Sequence, residues 1–140
     1  MYYAAITLTI LSSTCYHLLL KLTPKDVHPT TSLMVTYALA AAICGVFSIL
    51  SPLKTGFLDA LRQLNWASYL LALPLVGLEM GFLLAYRAGW RVGITPVVVT
   101  VAAAILLIPV GLVAFKEKTS LLNVGGMLLA IVGLVMMNVK

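Results

Sequence analysis

Residues 75–100 read LVGLEMGFLLAYRAGWRVGITPVVVT, and Glu79 within them is the only acidic residue inside any of the long apolar runs of the chain. A carboxylate at membrane depth costs ~3 kcal/mol or more, so it needs a partner, a water-filled cavity or a proton. On a ~3.6-residue helical wheel, Ala72, Leu75, Val76, Phe82, Leu83 and Tyr86 fall within about 60° of Glu79. Gly77 and Gly81 fall nearly opposite. Their G-x-x-x-G spacing lets a second backbone approach closely and marks a packing face. The helix therefore divides into a carboxylate among aromatic and aliphatic groups on one side and a glycine seam on the other. The first face suits a lipophilic cation, through charge and cation–π contact, and Glu79 is a candidate for proton exchange.

The surroundings of this stretch explain why membrane depth is the relevant setting. The chain has 140 residues, 62% hydrophobic and 9% charged, with a mean hydropathy of +1.10. Soluble domains carry about 25% charged residues, so this composition belongs to a membrane protein. The net charge of +5 is spread over the gaps between apolar runs, which suits lipid headgroups at the bilayer surface. A nucleic-acid reader would gather its basic residues on one soluble face, and no such region is present. The N-terminus lacks the basic region of a signal peptide, so the first apolar run reads as retained. Cys15 and Cys44 lie in different apolar runs and are expected to be small, inert, buried side chains.

Five segments reach the ~20 residues that cross a hydrocarbon core: 2–22, 31–50, 66–87, 92–115 and 121–139. Pro24 ends the first after Lys21, and Ser51-Pro52 ends the second. Asn65 caps the third, and Thr119 or Ser120 caps the fifth. The fold class is an all-α membrane bundle in a single domain. Trp66, Tyr69, Tyr86 and Trp90 bracket the third segment and Tyr2 and Tyr3 begin the first, as interfacial aromatics do. The linker 53–64, LKTGFLDALRQL, reads either as a short helix in the headgroup layer or as a solvated loop.

Five crossings put the termini on opposite sides. One side then carries Lys54, Arg62, Lys116 and Lys118, the other Lys21, Lys25, Arg87, Arg91 and Lys140. Orientation follows the Lys/Arg excess in short loops, and here there is almost none. A fixed orientation set by finer detail and a dual topology with antiparallel pairing both remain open.

Further polar positions belong to the candidate path. Thr9, Ser13, Tyr16 and His17 form a stripe on the first helix. Thr9 and Ser13 can bond back to their own helix, whereas the ring of His17 needs partners and can pair with Glu79 across the bundle. Pro96 and Pro109 each remove a backbone bond from the fourth helix, making Thr95, Pro96 and Thr100 pocket or hinge candidates. In the fifth, Gly126 and Gly133 share a face seven residues apart, a seam for another helix. No nucleophile stands with a base, no phosphate loop occurs and no metal-ligand cluster is visible. An enzyme, a cofactor and a metal are not expected.

The stretch from Gly81 to the end resembles the drug/metabolite transporter superfamily, as a single EamA-like repeat. The carrying residues are Leu84-Ala85-Tyr86-Arg87-Ala88-Gly89, the proline-containing helix, the loop Phe115-Lys116-Glu117-Lys118-Thr119, and the glycines Gly126 and Gly133 of the last helix. That last helix is similar to the dimerising helix of small multidrug resistance proteins. The resemblance implies a five-helix half transporter in a bacterial inner membrane, working as a homodimer, antiparallel or otherwise, or as a heterodimer with a similar small protein. Its cargo would be a small organic solute or amphiphile. On the reading of the residues themselves, Glu79 and His17 would supply polarity and possible proton exchange, Glu79 as a solution independent of that family, with Ser13, Tyr16, Phe82, Tyr86, Trp90 and Thr100 along the path. Small multidrug resistance proteins have four helices and an essential Glu in their first. The corresponding residues here are Ser12-Ser13-Thr14, so their proton-coupled antiport does not carry over. Two other functions fit the same pattern: part of a flippase for a lipid-linked intermediate, or a non-transporting subunit of a larger membrane complex.

Overall fold

The computed structural model describes residues 2–50, 56–116 and 120–138, and among them every regular element is an α-helix. In chain order these are α1 (Tyr2–Leu22), α2 (Pro29–Leu50), α3 (Phe57–Arg62), α4 (Trp66–Leu70), α5 (Ala72–Arg87), α6 (Thr95–Ala114) and α7 (Leu121–Asn138). Four stretches are long and apolar enough to cross a membrane: Tyr3–Leu22, Pro29–Leu50, Trp66–Arg87 and Thr95–Ala114. The expected fifth segment forms helix α7, which is not among these four. The Ser51-Pro52 stop, the beginning of the linker at 53–55, the loop residues Glu117, Lys118 and Thr119, and residues 139 and 140 lie outside the described residues.

The expected third segment is one candidate span built from two pieces, α4 and α5, meeting at Leu71. Pro74 accounts for the joint: it has no N–H to offer the carbonyl of Leu70, and its ring crowds that carbonyl. The path stays continuous because Leu71 N–H donates to Ala67 O (2.9 Å) and Leu75 N–H to Leu71 O (3.2 Å). Asn65 caps α4 as expected, its Oδ1 accepting from Ser68 N–H at 3.2 Å. The α7 cap is Ser120, whose Oγ accepts from Asn123 N–H at 3.2 Å.

The fourth segment starts three residues later than the expected 92. Pro96 sits in the first turn of α6, where its missing N–H is an orphan in any helix. It is thus a helix starter, not a break, which corrects the hinge reading at that position. Pro109 does lie inside α6. The linker resolves in favour of a helix: Phe57–Arg62 forms α3, and the Tyr69 hydroxyl donates back to Leu61 O at 3.5 Å.

The chain divides into two compact units, Met1–Gly89 and Trp90–Lys140. In the first, α5 is the central helix, packed against α1, α2 and α4. Its buried stripe is Phe82, Leu83 and Tyr86, joined by Leu33 of α2. These are wheel neighbours of Glu79, whereas Leu75 and Val76, on the same arc one turn earlier, remain exposed. In the second unit, α6 packs on α7, and Thr95 is buried with its hydroxyl donating to Arg91 O at 2.8 Å.

Most large apolar side chains are exposed, including long rows on α1, α2, α6 and α7. In water such a surface would aggregate; in a bilayer it is the solvated surface. The same outward facing corrects the reading of the cysteines. Cys15 and Cys44 are free thiols exposed on their helices, not buried, because too few helices surround α1 and α2 to cover their outer faces.

Candidate functional site

The site is held in the first unit by the end that α1 and α5 share. Lys21 Nζ donates to the carbonyl of Tyr86 at 3.0 Å and lies over that ring, 5.6 Å from its centroid. Arg87 donates through Nη2 to Pro24 O at 2.9 Å. Gly89 closes α5 with φ +97°, a left-handed conformation that favours glycine; its N–H also donates to Tyr86 O, at 3.1 Å. Two cationic side chains near the last turn of α5 also complement the negative end of its dipole. These contacts fix the register of α1 along α5, and the two helices run in the same direction.

One turn inward from Lys21, His17 meets Tyr86 and Phe82. The Tyr86 hydroxyl and His17 Nδ1 share a 3.0 Å hydrogen bond, with the donor set by the imidazole tautomer. The His17 ring stands edge-on to Phe82 (centroids 4.8 Å) and to Tyr16 (5.0 Å). Phe82 and Tyr86 stack at 6.1 Å. The expected pairing of His17 with Glu79 is therefore corrected: Tyr86 takes the His17 nitrogen. The reason is register. Glu79 and Tyr86 are about two turns apart, ~10 Å along the axis, and the Lys21 and Arg87 contacts hold His17 at the Tyr86 level.

Glu79 instead faces tyrosines from two helices. Tyr16 of α1 and Tyr37 of α2 both interact electrostatically with its carboxylate. Tyr37 lies close enough to share a hydrogen bond with the carboxylate, though Glu79 Oε2, Tyr16 Oη and Tyr37 Oη are buried without a bond of ideal geometry. A buried polar atom left unpaired costs ~1–3 kcal/mol, more when charged.

Glu79 and Tyr16 form part of the wall of a cleft of about 220 Å³, completed by Leu19, Leu20, Leu33 and hydroxyls from α1 and α2. A larger open groove of about 540 Å³ lies between α1 and α5, lined by Thr9, Ser12, Ser13 and His17 on one side and Leu78 and Phe82 on the other. Tyr16 belongs to both walls. Of the hydroxyls on the stripe, Thr9 bonds back to Ala5 O at 2.9 Å, as expected of a membrane helix. Ser13 is exposed in the groove.

The first unit thus brings together Glu79, Tyr16, His17, Phe82 and Tyr86, with Ser13 beside them. Trp90 and Thr100 belong to the second unit, where Thr100 lines a shallow groove of about 260 Å³ with Pro96, Val97 and Val101. A methyl group added at Gly77, Gly81, Gly126 or Gly133 would meet nothing within 4 Å among the described residues, so these seams are open. No three of His, Cys, Asp and Glu gather as a metal site among the described residues.

Tyr37 was missed by sequence reasoning. Its signal was available: a tyrosine nine residues into an apolar run stands away from the interface where tyrosines prefer to sit. No protein-family model, curated protein or solved structure matches this chain.

Proposed function

We propose that this chain is a membrane carrier for small organic solutes, of the drug/metabolite transporter type, working as a dimer in a bacterial inner membrane. The observation that carries the reading is Glu79 itself: an acidic side chain on the wall of a cleft between apolar helices, beside the Tyr16 and Tyr37 hydroxyls and with no basic side chain paired to it among the described residues. A structural carboxylate would be paired with a basic side chain; one without such a partner between membrane helices supports a binding or proton-relay role. The open glycine seams at Gly77 and Gly81 and at Gly126 and Gly133 support a second copy as the missing half.

The test is transport in proteoliposomes, with a panel of labelled solutes and an internal pH dye, comparing the wild type with Glu79→Gln. A carrier loses flux in the variant while remaining inserted and folded. If the wild type moves nothing, the subunit reading takes over, and Glu79→Gln should then leave the partner complex active. Cross-linking of single cysteines near the two termini, on a background lacking Cys15 and Cys44, reads the pairing. An N-to-C cross-link supports an antiparallel homodimer; like-with-like cross-links support a parallel one.

A further inference from the structure

We propose that the groove between α1 and α5 binds the carbonyl group of a small neutral aromatic carbonyl compound, held by His17 Nε2–H and the Ser13 hydroxyl. This rests on the carrier reading for its role, because it names a class of solute, while the binding itself is tested independently.

The hydroxyl hydrogen of Tyr86 decides the tautomer of His17. Tyr86 is buried, and His17 Nδ1, 3.0 Å away, is the acceptor its hydroxyl finds among the described residues. A buried hydroxyl hydrogen needs an acceptor, so Tyr86 donates and Nδ1 accepts. A hydrogen on Nδ1 would orphan that of Tyr86. With Nδ1 accepting, the imidazole carries its hydrogen on Nε2. Nε2 lies on the other side of the ring, without a partner among the described residues, and His17 stands on the groove wall. It is therefore a donor offered to whatever fills the groove. Ser13 stands one turn earlier on the same face of α1 and lines the same groove. Thr9 is bonded back to Ala5 O, whereas the Ser13 hydroxyl has no partner among the described residues.

Depth and lining select the ligand. His17 and Ser13 lie ~7 and ~13 Å along α1 from its end at Leu22, inside a hydrocarbon core of which each half is ~15 Å thick. Lipid tails bring no acceptor to that depth, so the occupant carries its own. None of the groove's lining residues is Lys, Arg, Asp or Glu, which disfavours a charged solute away from water. A carbonyl oxygen accepts twice, one lone pair for Nε2–H and one for Ser13. Leu8, Leu78 and Phe82 supply the apolar remainder with the ring of Tyr16, and the two aromatic side chains favour an aromatic body. About 540 Å³ falls in the ~300–1,000 Å³ range of pockets that hold small molecules. The groove is open, so such a molecule enters sideways from the lipid in which it dissolves.

The experiment uses the purified chain in lipid nanodiscs, with benzophenone isotope-labelled at its carbonyl as the probe and empty nanodiscs as the blank. Infrared difference spectra should show a second carbonyl band, moved to lower frequency by hydrogen bonding, that saturates with probe. Diphenylmethane, nearly the same shape without the oxygen, should compete at least about fivefold more weakly, the value of one neutral hydrogen bond. Ser13→Ala should weaken binding about fivefold; His17→Phe should do the same and move the band back toward that of probe in lipid. Nitrogen NMR of histidine-labelled protein should find the His17 hydrogen on Nε2. Circular dichroism checks folding, and should His17→Phe not fold, Ser13→Ala and the wild-type spectra decide. A hydrogen on Nδ1, no saturable shifted band, equal competition by diphenylmethane, or unchanged binding in Ser13→Ala or folded His17→Phe would each overturn the proposal. A groove filled by a second copy of the chain predicts the missing band. Should solute flux depend on Glu79 while no shifted band forms, this inference fails and the carrier reading survives. Should the ketone bind here while nothing crosses the bilayer, the reverse holds.

Discussion

Removing one oxygen from Tyr86 isolates the hydrogen bond that the α1–α5 register makes possible. Tyr86 is 1% exposed, and its hydroxyl and His17 Nδ1 are 3.0 Å apart. Tyr86→Phe keeps the ring stacked on Phe82 and beneath Lys21, so only the hydrogen bond is lost. In a membrane protein such bonds contribute ~0.6 kcal/mol on average and up to ~1.7. The His17 nitrogen is left part-buried without its partner, which moves the expectation to ~1 kcal/mol, about a fivefold shift in the folding equilibrium. Reversible unfolding in mixed micelles, followed by circular dichroism, measures it. The double-mutant cycle gives the sharper statement: with His17→Phe as the second change, the double variant should cost no more than either single one. Strictly additive costs, or a neutral Tyr86→Phe, would mean that the two side chains are not bonded in lipid. The register argument that separates His17 from Glu79 would then fail.

Other substitutions test other levels of the description. Leu83, fully buried in the centre of the first unit, should cost about 1–3 kcal/mol as Leu83→Ala in the same assay, because lipid offsets the transfer contribution and leaves mainly the cavity; no loss would mean that α5 is not packed where described. Gly89→Ala forces a side chain into φ +97° and should cost ~1–2 kcal/mol; an unchanged midpoint would show a different turn at the end of α5. Cys15 and Cys44, exposed but within apolar helices, should react with a membrane-impermeant charged maleimide only after the liposomes are dissolved in denaturing detergent. Fast labelling in intact liposomes, with both faces accessible, would place α1 and α2 outside the hydrocarbon.

Length and apolarity located the helices well because the bilayer imposes a minimum span and the chain contains few competing signals. The end of α1, the start of α7 and the Asn65 cap followed from residues with one plain local role. The joint at Leu71 was equally local, written in Pro74, but a hydropathy window averages over it. Pro96 was misjudged for a related reason, since a proline breaks a helix or begins one according to a boundary known only to within a few residues. The site was legible in its members on α5, where one wheel relates Glu79, Phe82 and Tyr86. What the wheel could not supply was the axial offset between helices. That offset comes from the Lys21 and Arg87 contacts to carbonyls, which leave no trace in side-chain pattern, and it gives His17 to Tyr86 and Glu79 to Tyr16 and Tyr37.

The sparse interior has a bearing on how this sequence can change over generations. With the packed side chains of the first unit concentrated on Phe82, Leu83, Tyr86 and Leu33, most outward positions answer only to the lipid, and any aliphatic residue answers equally well. Substitutions should accumulate freely on the outer faces of α1, α2, α6 and α7 while the short arc 79–86 of α5 stays fixed. Descendants of such a chain would drift beyond recognition by overall similarity long before they lost the cleft. Eight consecutive residues would then be a better guide to kinship than the remaining length of the chain.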